Sequence, residues 1–590
     1  MILFQPGDIS YVNRAGETIL EAMRAAGITL AAPCGGKGIC GKCRVKMLIG
    51  EGNPLTEEER KVFTEEEIAE GWRLACKCIP KHFKACEIEI PKAQEEFQVV
   101  LSESREPAGT VSCNRAKGEK FYEDVCNQDE DSQTDRDACA IAIDIGTTNL
   151  EVLLWNLEKD CEVGRVVASN PQQAYGADVI SRVSYVLRAK DEFETLCNCL
   201  QKRLQDMVKV LLKEAKVQAD RVLYGAVVGN AVMMHFFAGV SVEGYGKAPY
   251  AARFVEGRIE SGESIGVPMT QLLLCPNIES FVGADTVGVL SAYQVWCQEK
   301  ASREGKGNRR NRLEAAINIG QAIQDMEGVL VVDIGTNGEL MLRKNDKWYV
   351  ASTAAGPAFE GARISCGMRA KEGAVRGMQM QIDEKTGKQQ LVFEVVGNGE
   401  VQGICGSGLV AVIDGLVQAG VLQRDGYLLD AGEARQKGSS EPFVERLEKK
   451  DNENAFRMGK QAWLTQADIR ELQLAKAAIA TGIQLLLRTC GMKEKELKGI
   501  VLAGAFGTYL PVESAVRIGL LPEIATEQIV AVGNAALEGA VYGAKKCFIS
   551  SCEQAKSELE KIATEAKHIP LAEEKDFQEV YLAKMDLSES

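Results

Sequence analysis

The sequence predicts a multidomain α/β protein whose larger part is two similar halves facing each other across a cleft. Three observations carry this expectation. The strand-like run AIAIDIGTTN at 140–149 returns 189 positions later as VLVVDIGTN at 329–337. Each copy leads into two further strand-like runs joined by a polar turn: LEVLLWNL and RVVAS after the first, GELMLRKNDKWYVAST after the second. A helix-period segment and a strand then follow in both, 200–214 with 222–228 before Gly229-Asn230, and 469–488 with 500–503 before Gly504-Ala505-Phe506-Gly507. A repeat on this scale implies two related halves. The two signals lie 85 residues apart in the first half and 171 in the second, so the second carries an insertion at about 368–461.

Length and composition set the limits. A chain of 590 residues holds about three or four domains and has ample material for a core. The net charge of −15 and pI near 5.1 argue against a nucleic-acid or anionic-membrane surface. Residues 1–10 have no basic start, and the best apolar run, 226–240, is too short to span a membrane and is broken by Asn230 and His235. The expectation is a cytoplasmic protein with neither nucleic acid nor membrane as partner. In that setting 19 cysteines suggest thiols and metal ligands rather than a disulfide framework.

The first domain is expected over 1–92. Short strands are predicted at 2–4 and 9–12, then a helix at 17–26 stopped by Gly27. Next comes APCGGKGICGKC, with Cys34, Cys40 and Cys43 spaced C-x5-C-x2-C and Cys76 more distant in WRLACKC. Three thiolates from one loop and one from afar suit a [2Fe–2S] cluster, and the loop glycines let backbone amides turn toward the sulfurs. The same four cysteines would also make a structural zinc site, although such sites usually pair two short CxxC-type arms. Cys78 is expected beside Cys76 without ligating, and Cys86 within the core.

Residues 93–138 read as an acidic linker with 5 Lys/Arg against 12 Asp/Glu. Two readings compete: a mobile tether, which if disordered would reach roughly 35–40 Å, and a packed connector with a strand at 97–101. The start of the first half, 139–220, and the remainder, 221–590, complete the expected organisation.

The N-terminal segment resembles the plant-type and vertebrate-type ferredoxin domain, a β-grasp fold. Its first gap of five residues matches the vertebrate-type branch. DIGTT and DIGTN resemble the phosphate-binding turns of the superfamily that holds acetate kinase, sugar kinases, heat-shock chaperone ATPases and actin, built on a duplicated RNase H-like fold. VLAGAFG resembles its adenosine-contacting turn, through Gly504 and Gly507. That resemblance implies ATP with Mg²⁺. Gly146 and Gly335 let amides approach phosphate oxygens. Thr147, Thr148 and Thr336 add hydroxyls, with Asn337 beside them. Asp144 and Asp333 face the cleft from opposite halves and suit Mg²⁺, directly or through water. Gly406 and Ser407, ahead of the helical LVAVIDGLV, are a further contact at a helix start. Asp285 in GADTVGVL is a candidate base or water-positioning residue, or alternatively the cap of the helix at 286–292. His235 reads as a core histidine, and Cys366 and Cys405 as packing residues near the cleft.

The order of modules, with the strings CGGKGICGKC, GWRLAC, VVGNAVMMH, GADTVGVL, STAAGPAFEGARISCGMRA, ICGSGL and LAGAFG, resembles the reductive activators of corrinoid enzymes. The resemblance covers nearly the whole chain, least in the linker. It implies ATP-dependent one-electron reduction of Co(II) to Co(I) on a separate corrinoid protein of a methyltransferase system. It also implies an upstream low-potential electron donor and a homodimer made through about 139–220. Two other readings stay open: an activator of another low-potential enzyme, and a redox-sensing nucleotide-binding protein.

Overall fold

Every second side chain of Ile2–Gln5 (β1) is buried, the period-2 pattern of a strand with one face on a core. It joins Ile9–Tyr11 (β2), Arg44–Ile49 (β3), Trp72–Leu74 (β4) and Cys86–Glu89 (β5) in a sheet ordered β2-β1-β5-β3-β4. The helix Ile19–Ala25 starts at a capping box between Thr18 and Glu21 and ends before Gly27 at φ +74°. Its buried face, Ile19, Leu20, Ala22 and Met23, closes on Ile2, Phe4, Val45 and Ile88. This is the β-grasp domain that the sequence led us to expect. The computed structural model describes residues 1–587 except 7, 29, 31, 33–35, 37, 39–40, 82–84, 91–96, 103–136, 189–191, 302–326, 383–388 and 451. Cys34, Cys40 and most of the acidic linker, with the question of its mobility, lie outside the described residues.

Gln98–Leu101 (β6) is an edge strand of the next sheet, paired antiparallel with Cys161–Ser169 (β9). Cys139–Ile145 (β7) is buried almost throughout, as a central strand covered on both faces must be. It forms an antiparallel meander with Asn149–Asn156 (β8) and β9. Val222–Gly229 (β10) adds in parallel on its other side, followed by Gln271–Leu274 (β12) and the antiparallel edge Arg258–Ser261 (β11), giving β11-β12-β10-β7-β8-β9-β6. This sheet runs through residue 220, so 139–220 and 222–274 belong to one layer. The helix Glu192–Ala215 packs against it.

The second half repeats the plan. Val329–Ile334 (β13), Gly338–Lys344 (β14) and Lys347–Thr353 (β15) form the meander. The insertion contributes two small sheets, from Ala374–Ile382 (β16), Gln389–Val395 (β17) and Gly403–Ile404 (β18), and from Leu447–Lys450 (β19), Glu453–Arg457 (β20) and Trp463–Thr465 (β21). Gly499–Ala503 (β22) pairs parallel with β13, and Ile529–Gly533 (β23) with β22. Ala566–His568 (β24) completes the order β23-β22-β13-β14-β15-β24. Thus β9-β8-β7-β10-β12 and β15-β14-β13-β22-β23 are one topology used twice.

Two helices join the halves. Ala284–Ala301 and Ala535–Ile549 cross where Gly288 meets Ala536 and Gly539; a Cβ on Gly539 would fall 2.0 Å from the Gly288 carbonyl oxygen. Among the described residues no helix is long and apolar enough to cross a membrane.

Candidate functional site

At the cysteine end, the Sγ atoms of Cys43 and Cys76 lie 3.3 Å apart and both residues are buried. That spacing is far beyond a disulfide bond of about 2.05 Å and near the roughly 3.7 Å between two thiolates on one tetrahedral metal with 2.3 Å bonds. Gly36, Gly38 and Gly41 around them have φ of +87°, +84° and +63°, conformations in which glycine is free to expose its amide. The residues present therefore fit a cluster loop. Behind it, Glu59 and Arg73 form a buried ion pair (2.8 Å), and the Glu59 carboxylate also accepts from the Leu74 amide. Burial pushes the nearby Cys78 thiol up to about 12.

In the body, the two repeated turns meet. The Thr148 and Thr336 hydroxyl oxygens are 3.1 Å apart across the cleft, although 188 residues separate them. Both hydroxyls donate to Oε2 of Glu360, the Thr336 bond being 2.9 Å. The first turn is gripped from its own half. Asn170 donates to the Gly146 carbonyl at 2.8 Å. Arg182, fully buried, donates to the Thr147 carbonyl at 2.5 Å, to Gly176 O and to Gln172. Asn230 donates to the Thr147 hydroxyl at 2.9 Å while capping the helix Ala231–Phe237.

Asp144 is the last residue but one of β7 and Asp333 the last but one of β13; Asp285 lies in the first turn of the helix Ala284–Ala301, and the charges of the three interact. Asn534 donates to Asp144 at 2.8 Å and to Glu151 at 2.9 Å. Asp285 accepts from the Thr286 amide at 2.7 Å; the helix begins at Ala284, so Asp285 lies within its first turn. Burial, then the neighbouring carboxylates, pushes Asp144 up to about 8. Burial with Asp285 beside it takes Asp333 to about 7, and burial takes Asp285 to about 6. Glu339, which the sequence reading passed over, joins them and is held well above its ordinary value by burial and by Asp285 and Asp333. Such concentrated negative charge calls for protons or a cation. Among the described residues no three His, Cys, Asp or Glu are disposed as a direct metal cage.

The remaining candidates divide. Gly504 has φ +82°, and a Cβ there would lie 2.4 Å from Asp333 Oδ1, so glycine at this turn is what lets it abut the acid. A Cβ on Gly406 would strike the Phe359 carbonyl at 1.8 Å and Phe506 at 2.8 Å; close packing beside Glu360 requires that glycine. Ser407 is buried with its hydroxyl 3.2 Å from Cys405 Sγ. Gly507 sits against Leu502, and the Gly335 amide closes the second turn on Asn337 O at 2.9 Å. His235 is a core residue: Nε2 accepts from the Arg253 amide at 3.1 Å, Nδ1 lies 2.7 Å from Ala231 O, and the ring stacks on Phe254.

Glu360, Arg182 and Asn534 escaped the sequence reading. One signal was available for the last. VGNA occurs at 228–231 and again at 532–535, each time at a strand end before a helix. In both the asparagine caps its helix and turns its amide to the first phosphate-type turn. The head also touches the body here. Arg24 donates to the Ala174 carbonyl and lies 4.7 Å over the Tyr175 ring and 5.5 Å over Tyr185.

Family models match this chain in three blocks: a 2Fe-2S iron-sulfur cluster binding domain over 3–81, the RACo middle region over 139–297, and the C-terminal domain of RACo, the ASKHA domain, over 327–590. The chain is 31% identical over 454 residues to the corrinoid activation enzyme RamQ of Eubacterium limosum, covering 75% of this chain and 69% of that one. It belongs to the reductive activators of corrinoid proteins. A second member, the [Co(II) methylated amine-specific corrinoid protein] reductase of Methanosarcina barkeri, is 23% identical over 471 residues, 75% of this chain and 76% of that one. The solved structure of a reductive activator for a corrinoid, iron-sulfur protein superposes with TM-score 0.63 at 26% identity, over 99% of this chain and 98% of that one. The activator family thus accounts for the iron-sulfur head, the middle region and the C-terminal ASKHA domain together.

Proposed function

We propose that this protein uses Mg-ATP to drive the one-electron reduction of a Co(II) corrinoid to Co(I) on a separate protein of a methyltransferase system. Cys34, Cys40, Cys43 and Cys76 would hold the [2Fe–2S] cluster, loaded by an upstream low-potential donor. When bound, that cluster supplies single electrons near about −400 mV, as plant-type centres do. The observation that supports the reading best is the meeting of Thr148 and Thr336 across the cleft, beside three half-buried acids. Those hydroxyls and the turn amides are donors for phosphate oxygens. One or both of Asp144 and Asp333 would hold Mg²⁺, directly or through water, with phosphate completing its shell, and Asp285 would serve as base or water-positioning residue. Seating the nucleotide would bind both halves at once, and closure can favour a strained partner only by differential affinity for the two states. The first segment of the body, about 139–220, is the proposed dimer surface.

The test is anaerobic. The reconstituted protein, a strong reductant, Mg-ATP and a Co(II) corrinoid methyltransferase subunit are mixed and the cobalt spectrum is followed. Co(I) should appear with ATP and not without it, and not with Cys76→Ser. ATP hydrolysis indifferent to the corrinoid protein, with no Co(I), would favour the redox-sensing alternative.

A further inference from the structure

Glu360 is held where it can act on both phosphate-type turns. It closes the short turn Pro357–Glu360 after β15. The Gly356 amide donates to Thr336 O at 2.8 Å and the Ala362 amide to Pro357 O at 3.1 Å. Gly361, at φ +77°, has so little room that a Cβ would meet the Met368 amide at 2.9 Å. The carboxylate is therefore delivered by a stiff loop of the second half. Its Oε2 accepts from Thr336 of its own half and from Thr148 of the other. Buried Arg182 and the exposed Arg369 lie close enough to favour its charged form, which burial opposes. Arg369 itself crosses the cleft to Ser169 Oγ at 2.7 Å.

An anionic oxygen receiving two threonine hydroxyls, one from each turn, is what a terminal phosphate would present. We propose that Glu360 is an internal stand-in for that phosphate: it latches the two halves together without nucleotide and must be displaced when the terminal phosphate of ATP is seated. The proposal rests on the nucleotide reading above and adds its regulation. Two anions cannot share one pair of donors, so Glu360 sets the affinity of the site for a triphosphate against a diphosphate. A nucleotide that must first displace the latch binds more weakly in proportion to the latched fraction.

The experiment uses the full-length reconstituted protein with Glu360→Ala and Glu360→Gln, each checked for an unchanged cluster spectrum and thermal midpoint. Amide exchange without nucleotide reads the latch alone; equilibrium binding of Mg-ATP and Mg-ADP reads the competition. Glu360→Ala should speed exchange at 145–149 and 334–338 and tighten ATP about tenfold if the latch is about nine-tenths occupied. ADP should change much less, and Glu360→Gln should fall between. Unchanged exchange in both turns overturns the latch whatever ATP does. Weaker ATP binding, or a fall in kcat with KM unchanged, also overturns it and makes Glu360 a catalytic carboxylate. Faster exchange in a protein that binds no ATP upholds the latch and sinks the nucleotide reading instead.

Discussion

The two repeated turns have nearly the same sequence, DIGTT and DIGTN, but are held differently. The first receives side-chain donors from Asn170, Gln173, Arg182 and Asn230, and its aspartate receives Asn534. The second is held by main-chain bonds, Gly335 N to Asn337 O and Gly356 N to Thr336 O, with Glu360 as its side-chain acceptor. The strand registers make Gly229 and Gly504 equivalent, each one residue past the partner of its aspartate. After them the first half has Asn230, which holds Thr147, and the second has alanine at 505. A duplicated motif has thus kept its acid and glycine while its supports diverged. The first turn is braced mainly by side chains of its own half, and the second mainly by its own main chain.

Substitutions should separate the two. The largest effect is expected from Asp333→Asn, which should lower ATP hydrolysis by about a hundredfold or more, the usual cost of a missing electrostatic group at a reacting phosphate, with little loss of thermal stability. An equal loss of stability would mean that the second turn is as structural as the first. Arg182→Ala should do the opposite. It leaves three buried acceptors without their donor and should cost about 3 kcal/mol of stability, read as a fall in the unfolding midpoint, with the cleft aspartates untouched.

The cleft acids give a pH dependence. Asp144, Asp285 and Asp333 are raised to about 8, 6 and 7 in the folded protein, against about 3.9 when unfolded. The folded state therefore binds more protons, and its stability falls as pH rises. The contribution is whole below about pH 4 and is lost as pH climbs through about 6 to 8. The nucleotide-free midpoint should drop across that range, and saturating Mg-ATP should flatten the drop. Calorimetry in buffers of different ionisation enthalpy should show protons released on Mg-ATP binding; none released would mean the acids are already ionised.

The smallest effect concerns the link from head to body. Arg24→Ala removes the two ring contacts and should weaken docking of the head by about 1 kcal/mol. Faster amide exchange at 170–176 with an unaltered cluster spectrum is the expected readout, and no change would mean the contact is not populated in solution.

The duplicated topology was legible in the sequence because strand period, acid and glycine recur at a fixed offset and each half needs them locally. The iron-sulfur domain was legible because its cysteine spacing is local to one loop, and a 2Fe-2S domain model matches 3–81. Glu360, Arg182 and Asn534 were not, because their roles arise between segments far apart in the chain; Asn534 is 390 residues from Asp144. The crossing of the two helices was hidden too. Gly288 and Gly539 look like helix-weakening glycines until the two helices are seen to cross on them. The position of Gly406 at a helix start suggests a nucleotide contact; in the fold its lack of a Cβ serves the approach of Phe359 and Phe506.

The central claim is that nucleotide bound across the two turns moves an electron that would otherwise not move. The direct test holds the solution potential fixed with a redox buffer and measures the equilibrium Co(I)/Co(II) ratio of the corrinoid partner, with and without Mg-ATP, for wild type and Asp333→Asn. The account predicts a ratio at least about tenfold higher with ATP, an equivalent shift of about 59 mV for one electron, and no such rise in Asp333→Asn. The same ratio with and without ATP in the wild type would contradict it.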